Sequence, residues 1–226
     1  MKRREFLTIG GGVAFSTLFS RTFAMASSSP DITHGPRHSP NIALTFHGAG
    51  DLEFAQSLLA TFRSTSTPVT VFAIGTWLKE NPTIAKKILD GGHEIGNHTL
   101  NHFQMKTLSA ARVKSEIMGC AEILKQQIGN HGSYFRPSGT QFSTSLIRSV
   151  AQRTGYKQCI SYDVDSHDYQ DPGSNAVIKN VMTNVRNGSI VSLHFGHKNT
   201  VEAMPTLIEK LHQAGFNPVT VTQLLA

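Results

Sequence analysis

Apolar residues in this chain fall alternately into short unbroken runs and longer stretches with a three- or four-residue rhythm, which predicts strands alternating with helices. The predicted strands are residues 41–46, 68–74, 93–96, 134–136, 156–164, 189–193 and 216–221. Residues 51–63 carry Phe54, Leu58 and Phe62 on one helical face, with Ala55 and Leu59 beside it. Trp77, Ile84, Ile88 and Leu89 mark a second helical segment; Pro82 opens its second half and Gly91-Gly92 ends it. The clearest helix is 109–128: Ser109 caps it, Leu108 and Val113 form a staple, Val113, Ile117, Leu124 and Ile128 share a face, and Gly129 follows. Residues 143–153, 175–185 and 201–214 supply further helices, with Pro205 early in the last. Seven strands in alternation with helices predict parallel pairing through right-handed crossovers, the signature of open doubly wound sheets and of (β/α) barrels.

The two ends of the pattern differ from its middle. Lys2-Arg3-Arg4 opens the chain, a glycine-rich apolar run follows to Phe19, and Ala24-Met25-Ala26 offers small residues for cleavage. Residues 1–26 therefore read as a twin-arginine signal peptide, which implies export to the periplasm, cell envelope or medium. The apolar run is too short for a stable membrane span. Residues 27–40, rich in Ser, Pro and His, read as a linker, and 41–226 as one domain. The net charge of +6 is halved once the leader, with four cations against Glu5, is set aside. No Lys/Arg cluster supports nucleic-acid binding. Cys120 and Cys159 read as buried fillers, a single disulfide being the alternative. Oligomeric state has no signature.

Candidate chemistry gathers where predicted strands end. His47, Gly48 and Asp51 follow the first, His98 and His102 the third, Arg136 the fourth, Asp165 and Asp168 the fifth, and His194 the sixth. Parallel α/β folds bring these ends to one rim. His98 and His102 are four residues apart, so a helical turn would stack both imidazoles on one face, as a divalent metal requires.

Five segments then carry a resemblance, in order. They are Thr45-Phe46-His47-Gly48, His98-Thr99-Leu100-Asn101-His102, Phe135-Arg136-Pro137-Ser138-Gly139, Asp165-Ser166-His167-Asp168-Tyr169, and Ser189 to His194. Together they resemble the polysaccharide deacetylases of the NodB-homology type, a carbohydrate esterase family, over residues 41–222. The resemblance implies a distorted (β/α) barrel, here of seven strands. It implies a metal-dependent hydrolase that removes acetyl groups from an N-acetylated polysaccharide, peptidoglycan or chitin-like, with a divalent metal that is usually zinc. His98 and His102 would be metal ligands, Arg136 would position the base, Asp168 would tune His194, and His194 would be the general acid. Pro137, Tyr169 and Leu193 would contact the sugar.

The first motif departs from the family. His47 and Gly48 stand where it has two aspartates, and Ser192 stands where its late motif has leucine. Two assignments stay open. In the preferred one Asp51 folds back across Ala49-Gly50 as third ligand and His47 is the base. In the other, His47 completes a three-histidine site and Asp51 is the base. A carbohydrate-binding relative without catalysis and an O-acetyl esterase of the xylan type are the rival functions.

Overall fold

The computed structural model describes residues 30–226. Its elements run β1 (Asn41–Gly48), α1 (Leu52–Ser64), β2 (Thr70–Ala73), α2 (Gly75–Glu80), α3 (Ile84–Asp90), β3 (Glu94–Asn97), α4 (Ala110–Ile128), α5 (Ser145–Arg153), β4 (Val164–Asp165), α6 (Ser174–Asn184), β5 (Ile190–His194), α7 (Lys198–Gln213), β6 (Asn217–Pro218) and α8 (Val221–Leu225). The named strands pair in parallel in the order β3-β2-β1-β5-β4, with β6 beside the start of β1. Isolated parallel bridges from Asn97 to Phe135 and from Phe135 to Cys159 link β3 to the segment leading into β4. The sheet thereby curls into a distorted barrel with helices outside. Two expected strands shrink to these bridges. Past Arg136 the ladder cannot continue, because Pro137 has no N–H to donate.

The strand period of two sorts the core. Ile42, Leu44 and Phe46 of β1 face outward to the helices, in a cluster with Leu58, Phe62, Phe195 and Leu207. Phe46 packs its ring 5.1 Å from Phe62 and 5.2 Å from Phe195. Ala43 faces inward with Phe72, Ile160 and Ile190, and this interior is closed below by Val221 and Leu224 of α8. Residues 216–221, expected as a strand, give only β6. Thr220 then begins α8 with a capping box to Gln223. Pro205 lies deeper in α7 than expected, since that helix already starts at Lys198. Cys120 and Cys159 are both buried free thiols.

The expected signal peptide, residues 1–26, lies outside the described residues. The expected linker does not behave as one from residue 30 onward. Ile32 bridges Ile160 and His34 bridges Ser189. Ile32 N donates to Cys159 O at 2.9 Å, and Gly35 N to Gly188 O at 2.8 Å. Arg37 Nη2 reaches Asp163 Oδ2 at 2.6 Å. Asp163 also accepts from Ile190 N at 2.9 Å and Ser189 Oγ at 3.2 Å, so one carboxylate ties the strap to the start of β5. Composition suggested a linker because the strap's contacts are backbone bridges and two ion pairs, Arg37 with Asp163 and Asp31 with Arg148, which leave no apolar periodicity.

Asp163 is only 11% exposed, whereas Lys86 and Asp90 form an i,i+4 pair that is 71% and 60% exposed. Asp163→Ala should therefore cost roughly 1–3 kcal/mol by urea denaturation, because it strands a backbone N–H and a guanidinium. Asp90→Ala should stay within about 0.5 kcal/mol.

Candidate active site

β1 and β5 deliver the centre of the site. Their register pairs Thr45 with Ser192 and His47 with His194. The same alternation that sends Phe46 and Leu193 outward turns Ser192, His47 and His194 inward at the rim. The rings of His47 and His194 stack with centroids 4.3 Å apart and 11° between planes. They line an open cleft of about 420 Å³ together with His102, Pro137, Tyr162 and Tyr169. Leu193, expected at the sugar, is instead fully buried in the outer core, because an odd step along a strand changes face.

The histidine pair comes together without a helical turn. Thr99 and His102 have φ of 70° and 59°, in the left-handed region. Helical bonding is forestalled because the carbonyls of Thr99 and Leu100 accept from the first amides of α2, Gly75 N and Thr76 N, each at 2.9 Å. Asn97 Oδ1 takes Thr99 N at 2.9 Å, and buried Glu116 of α4 takes Asn101 N and Nδ2 at 2.8 and 2.9 Å. The loop is thus held by its backbone, and it still sets the His98 and His102 rings 5.0 Å apart.

Hydrogen bonds fix the tautomers of the inner pair. His98 Nδ1 lies 2.8 Å from the Arg136 carbonyl oxygen, which can only accept, so Nδ1 carries the proton and Nε2 is bare. His47 Nδ1 lies 2.8 Å from that Nε2 and therefore donates to it. His47 Nε2 is then bare and accepts from Ser192 Oγ at 3.0 Å. On the other wall, His194 Nδ1 meets Asp168 Oδ1 at 2.7 Å. Asp168 Oδ2 accepts from His194 N at 2.7 Å and from Thr200 Oγ1 at 2.6 Å. The Asp168 carboxylate is fully buried and saturated, leaving His194 Nε2 toward the cleft.

Asp51 does not join this group. Its carboxylate caps α1, accepting from Glu53 N at 2.8 Å, and the residue is exposed. Gly50, expected to fold Asp51 inward, is pinned. Its carbonyl accepts from Trp77 Nε1 at 2.9 Å, and at φ +86° its Cα lies against Gly196, where a Cβ would come within 2.5 Å. Neither role expected of Asp51, ligand or base, suits that position. Arg136 is buried over the Phe72 ring at 4.2 Å, with Nε and Nη2 donating to the carbonyls of Ile160 and Ser161 at 3.2 and 3.0 Å, while its buried Nη1 has no partner. It makes no hydrogen bond to His47. The sequence reading missed Tyr162 and Thr200, and it noted Ser192 only as a departure from the family's leucine.

Residues 34–159 match the family model described as polysaccharide deacetylase. The chain belongs to that family. A peptidoglycan-N-acetylglucosamine deacetylase of Bacillus cereus is 30% identical over 194 residues, covering 84% of this chain and 90% of the relative. A Listeria monocytogenes peptidoglycan-N-acetylglucosamine deacetylase, PgdA, is 28% identical over 199 residues, and this chain spans only 42% of its length. Among solved structures, BA3943 of Bacillus anthracis, described as a CE4 family pseudoenzyme, is 28% identical with a TM-score of 0.82, over 88% of this chain and 70% of that one. A BA3943 mutant described as having restored enzymatic activity gives a TM-score of 0.83.

Polysaccharide deacetylases are generally metal-dependent, so the donors here must be weighed. Among the described residues no three His, Cys, Asp or Glu side chains are spread around a common point as a ready-made ion site. The reason is local: His47 and His98 are hydrogen-bonded to each other. Their chemistry nonetheless suits an ion that prefers imidazole. Burial, and then the Coulomb effect of neighbouring histidines and of Arg136, holds the His47 pKa well below its usual value. Burial and His102 do the same to His98, and burial and His194 lower His102. All three are neutral at pH 7, the form that binds metal. The Arg136 carbonyl orients His98 from behind, as ligand histidines require.

For Asp168, burial alone would raise the pKa, but hydrogen bonds from His194 and Thr200 outweigh it and hold the carboxyl below 3.8. A depressed carboxyl contributes stability that is complete above the unfolded value and fades as pH falls through the folded one. Asp168→Asn should cost about 2–3 kcal/mol near pH 7. The urea midpoints of the two proteins should converge as pH is lowered from about 5 toward 3.

Proposed function

We propose that this family member is a metal-dependent hydrolase that removes acetyl groups from N-acetylated sugars of a polysaccharide, with peptidoglycan or chitin-like chains as the substrate class. The observation that carries the reading is the pair of buried Asp168 and His194, 2.7 Å apart, with the His194 ring stacked on His47 and lining with His47 and His102 one open cleft. A pure binder has no need of a proton-transfer dyad with a saturated carboxylate.

His98, His102 and His47 would hold the ion, and zinc suits three imidazoles. When bound, such an ion supplies a more acidic water and a polarised acetyl carbonyl. The chain's own residues do the rest. Asp168 keeps the proton of His194 on Nδ1 and fixes the orientation of its ring. His194 Nε2 takes the proton of the attacking water and returns it to the departing amine, which could not leave as an anion. Burial of their own rings favours the neutral forms of His47 and His98, and the charge of Arg136 beside them adds to the effect. Tyr169, its ring 5.5 Å from His194, and Pro137 wall the cleft against the sugar.

A second reading, a sugar-binding relative without turnover, is favoured by one feature: Gly48 offers no ligand and Asp51 is spent on α1. One assay separates the two. The protein should release acetate from N-acetylglucosamine oligomers, lose that activity to a chelator and recover it with zinc. His194→Ala should lower kcat by 10²- to 10⁴-fold. Zinc-loaded protein that binds the oligomers but releases no acetate would establish the second reading. Faster release from acetylated xylan would make the chain an O-acetyl esterase. The proposal includes twin-arginine export; a substitution of both Arg3 and Arg4 by Lys should leave the protein in the cytoplasmic fraction.

A further inference from the structure

Only five large apolar side chains are exposed among the described residues: Leu89, Phe103, Met118, Phe142 and Tyr169. The three aromatic ones gather at the cleft. Phe103, 42% exposed, lies between the cleft residues His102 and Gln104. Phe142, 48% exposed, follows the cleft residues Thr140 and Gln141. Tyr169, 45% exposed, lines the cleft itself. A folding chain gains by burying such rings, so three of them around one opening mark a surface that a ligand covers.

Topology sets the three on successive rim loops. Phe103 is on the loop after β3, Phe142 on the loop after Phe135 and Tyr169 on the loop after β4. The bridges from Asn97 to Phe135 and from Phe135 to Cys159 make these loops neighbours. The first two touch, since a Cβ on Gly139 would come within 2.6 Å of Gln104 Oε1. The rings therefore follow one arc of the rim.

The two phenylalanines stand on held backbone. Ser138 Oγ donates to the Phe103 carbonyl at 2.7 Å, and the Arg112 guanidinium covers one face of that ring at 5.3 Å from its centroid. Thr140 Oγ1 donates to the Phe142 carbonyl at 2.9 Å, and the next amide, Ser143 N, donates to Asp31 Oδ2 at 2.6 Å. A platform fixed before the ligand arrives loses little freedom on binding. Beside the rings, the cleft offers the amides of Gln104 and Gln141 and the hydroxyl of Thr140, and no Lys, Arg, Asp or Glu side chain lines it. Aromatic faces next to neutral donors and acceptors suit a neutral glycan, whose pyranose rings present C–H faces for stacking and hydroxyl edges for hydrogen bonds.

We infer that Phe103 and Phe142 are stacking platforms that extend the cleft beyond Tyr169, so that the chain binds a run of neutral N-acetylated sugars rather than a single one. The inference rests on the glycan reading proposed above and involves no ion.

Calorimetric titration of the chelator-treated protein with the dimer and the hexamer of N-acetylglucosamine tests it. The hexamer should bind about tenfold more tightly than the dimer. Phe103→Ala and Phe142→Ala should each weaken hexamer binding by about 5- to 10-fold. Phe103→Tyr and Phe142→Tyr, which keep a ring, should bind as the wild type does. Met118→Ala, an exposed apolar position on α4, should change nothing. Hexamer binding no tighter than that of the dimer, or unchanged in either alanine variant, would overturn the inference. Acetate release by the zinc-loaded wild type would then leave the deacetylase reading standing. Light scattering that shows a dimer of this chain, dissolved by the alanine substitutions with hexamer binding unaltered, would assign the rings to an interface between copies and overturn it too. A zinc-loaded wild type that neither binds an oligomer nor releases acetate would overturn the proposed function and the inference with it.

Discussion

The site depends on the parallel register between β1 and β5. That register opposes His47 to His194 and Thr45 to Ser192. A slip of one residue would send both histidines into the outer core and bring Phe46 and Leu193 into the cleft. It is secured from the outside, where Ile42, Leu44, Phe46, Val191 and Leu193 pack without exposure against helices. The apolar alternation therefore does two tasks with one pattern. The positions it leaves inward at the rim are free to be polar, and the chemistry sits there. Below, Ala43, Phe72 and Ile190 cluster with Val221 and Leu224 of α8 to close the interior.

The alternation of elements was legible because it rests on local periodicity, and the outward stripe of α1 appears in the structure much as the spacing predicts. The meeting of His47, His98, Arg136, Asp168 and His194 at one rim was legible from the rule that parallel strands share their C-terminal end. What was not legible depends on partners distant in sequence. The loop at His98–His102 has helical spacing, yet its carbonyls are claimed by the N-terminus of α2 and its amides by Asn97 and Glu116. Asp51 reads equally as a cap or a ligand. The Trp77 bond to Gly50 and the contact with Gly196 decide for the cap. Leu193 was placed by motif rather than by parity, and parity governs. The strap at 30–40 has no pattern, since a few bridges, Asp31 and Arg37 hold it.

Arg136 shows what the altered first motif leaves behind. Burial lowers its pKa to about 9, which still leaves it charged at pH 7. Two carbonyls and the face of Phe72 offset the burial of that charge, but Nη1 stays without a partner. A carboxylate nearby would satisfy it; His47 cannot, because an imidazole of this tautomer presents Nδ1–H to His98. The site accepts an uncompensated cation where the family pattern sets a carboxylate beside the arginine. The consequence is electrostatic. Burial is the main reason that His47 and His98 are neutral where free imidazole is partly charged, and the Arg136 charge adds to it.

Replacing a carboxylate by an imidazole in such a site also shifts the balance between holding an ion and using it. A carboxylate lends a full negative charge to retention and takes the same charge away from the ion's pull on water and carbonyl. Three neutral rings give up that attraction, and with Arg136 close by the site is less welcoming to a dication. The geometry of the donors must then supply what charge does not. This is why the atoms behind the ligands carry weight here. The Arg136 carbonyl fixes His98, Ser192 backs His47, and the Asp168 carboxylate is committed to His194 and Thr200. An imidazole set favours zinc, copper or nickel over magnesium or manganese, which prefer oxygen. With an ion on His47, His98 and His102 as proposed, the departure from two aspartates would narrow the range of usable metals while leaving Asp168 and His194 intact.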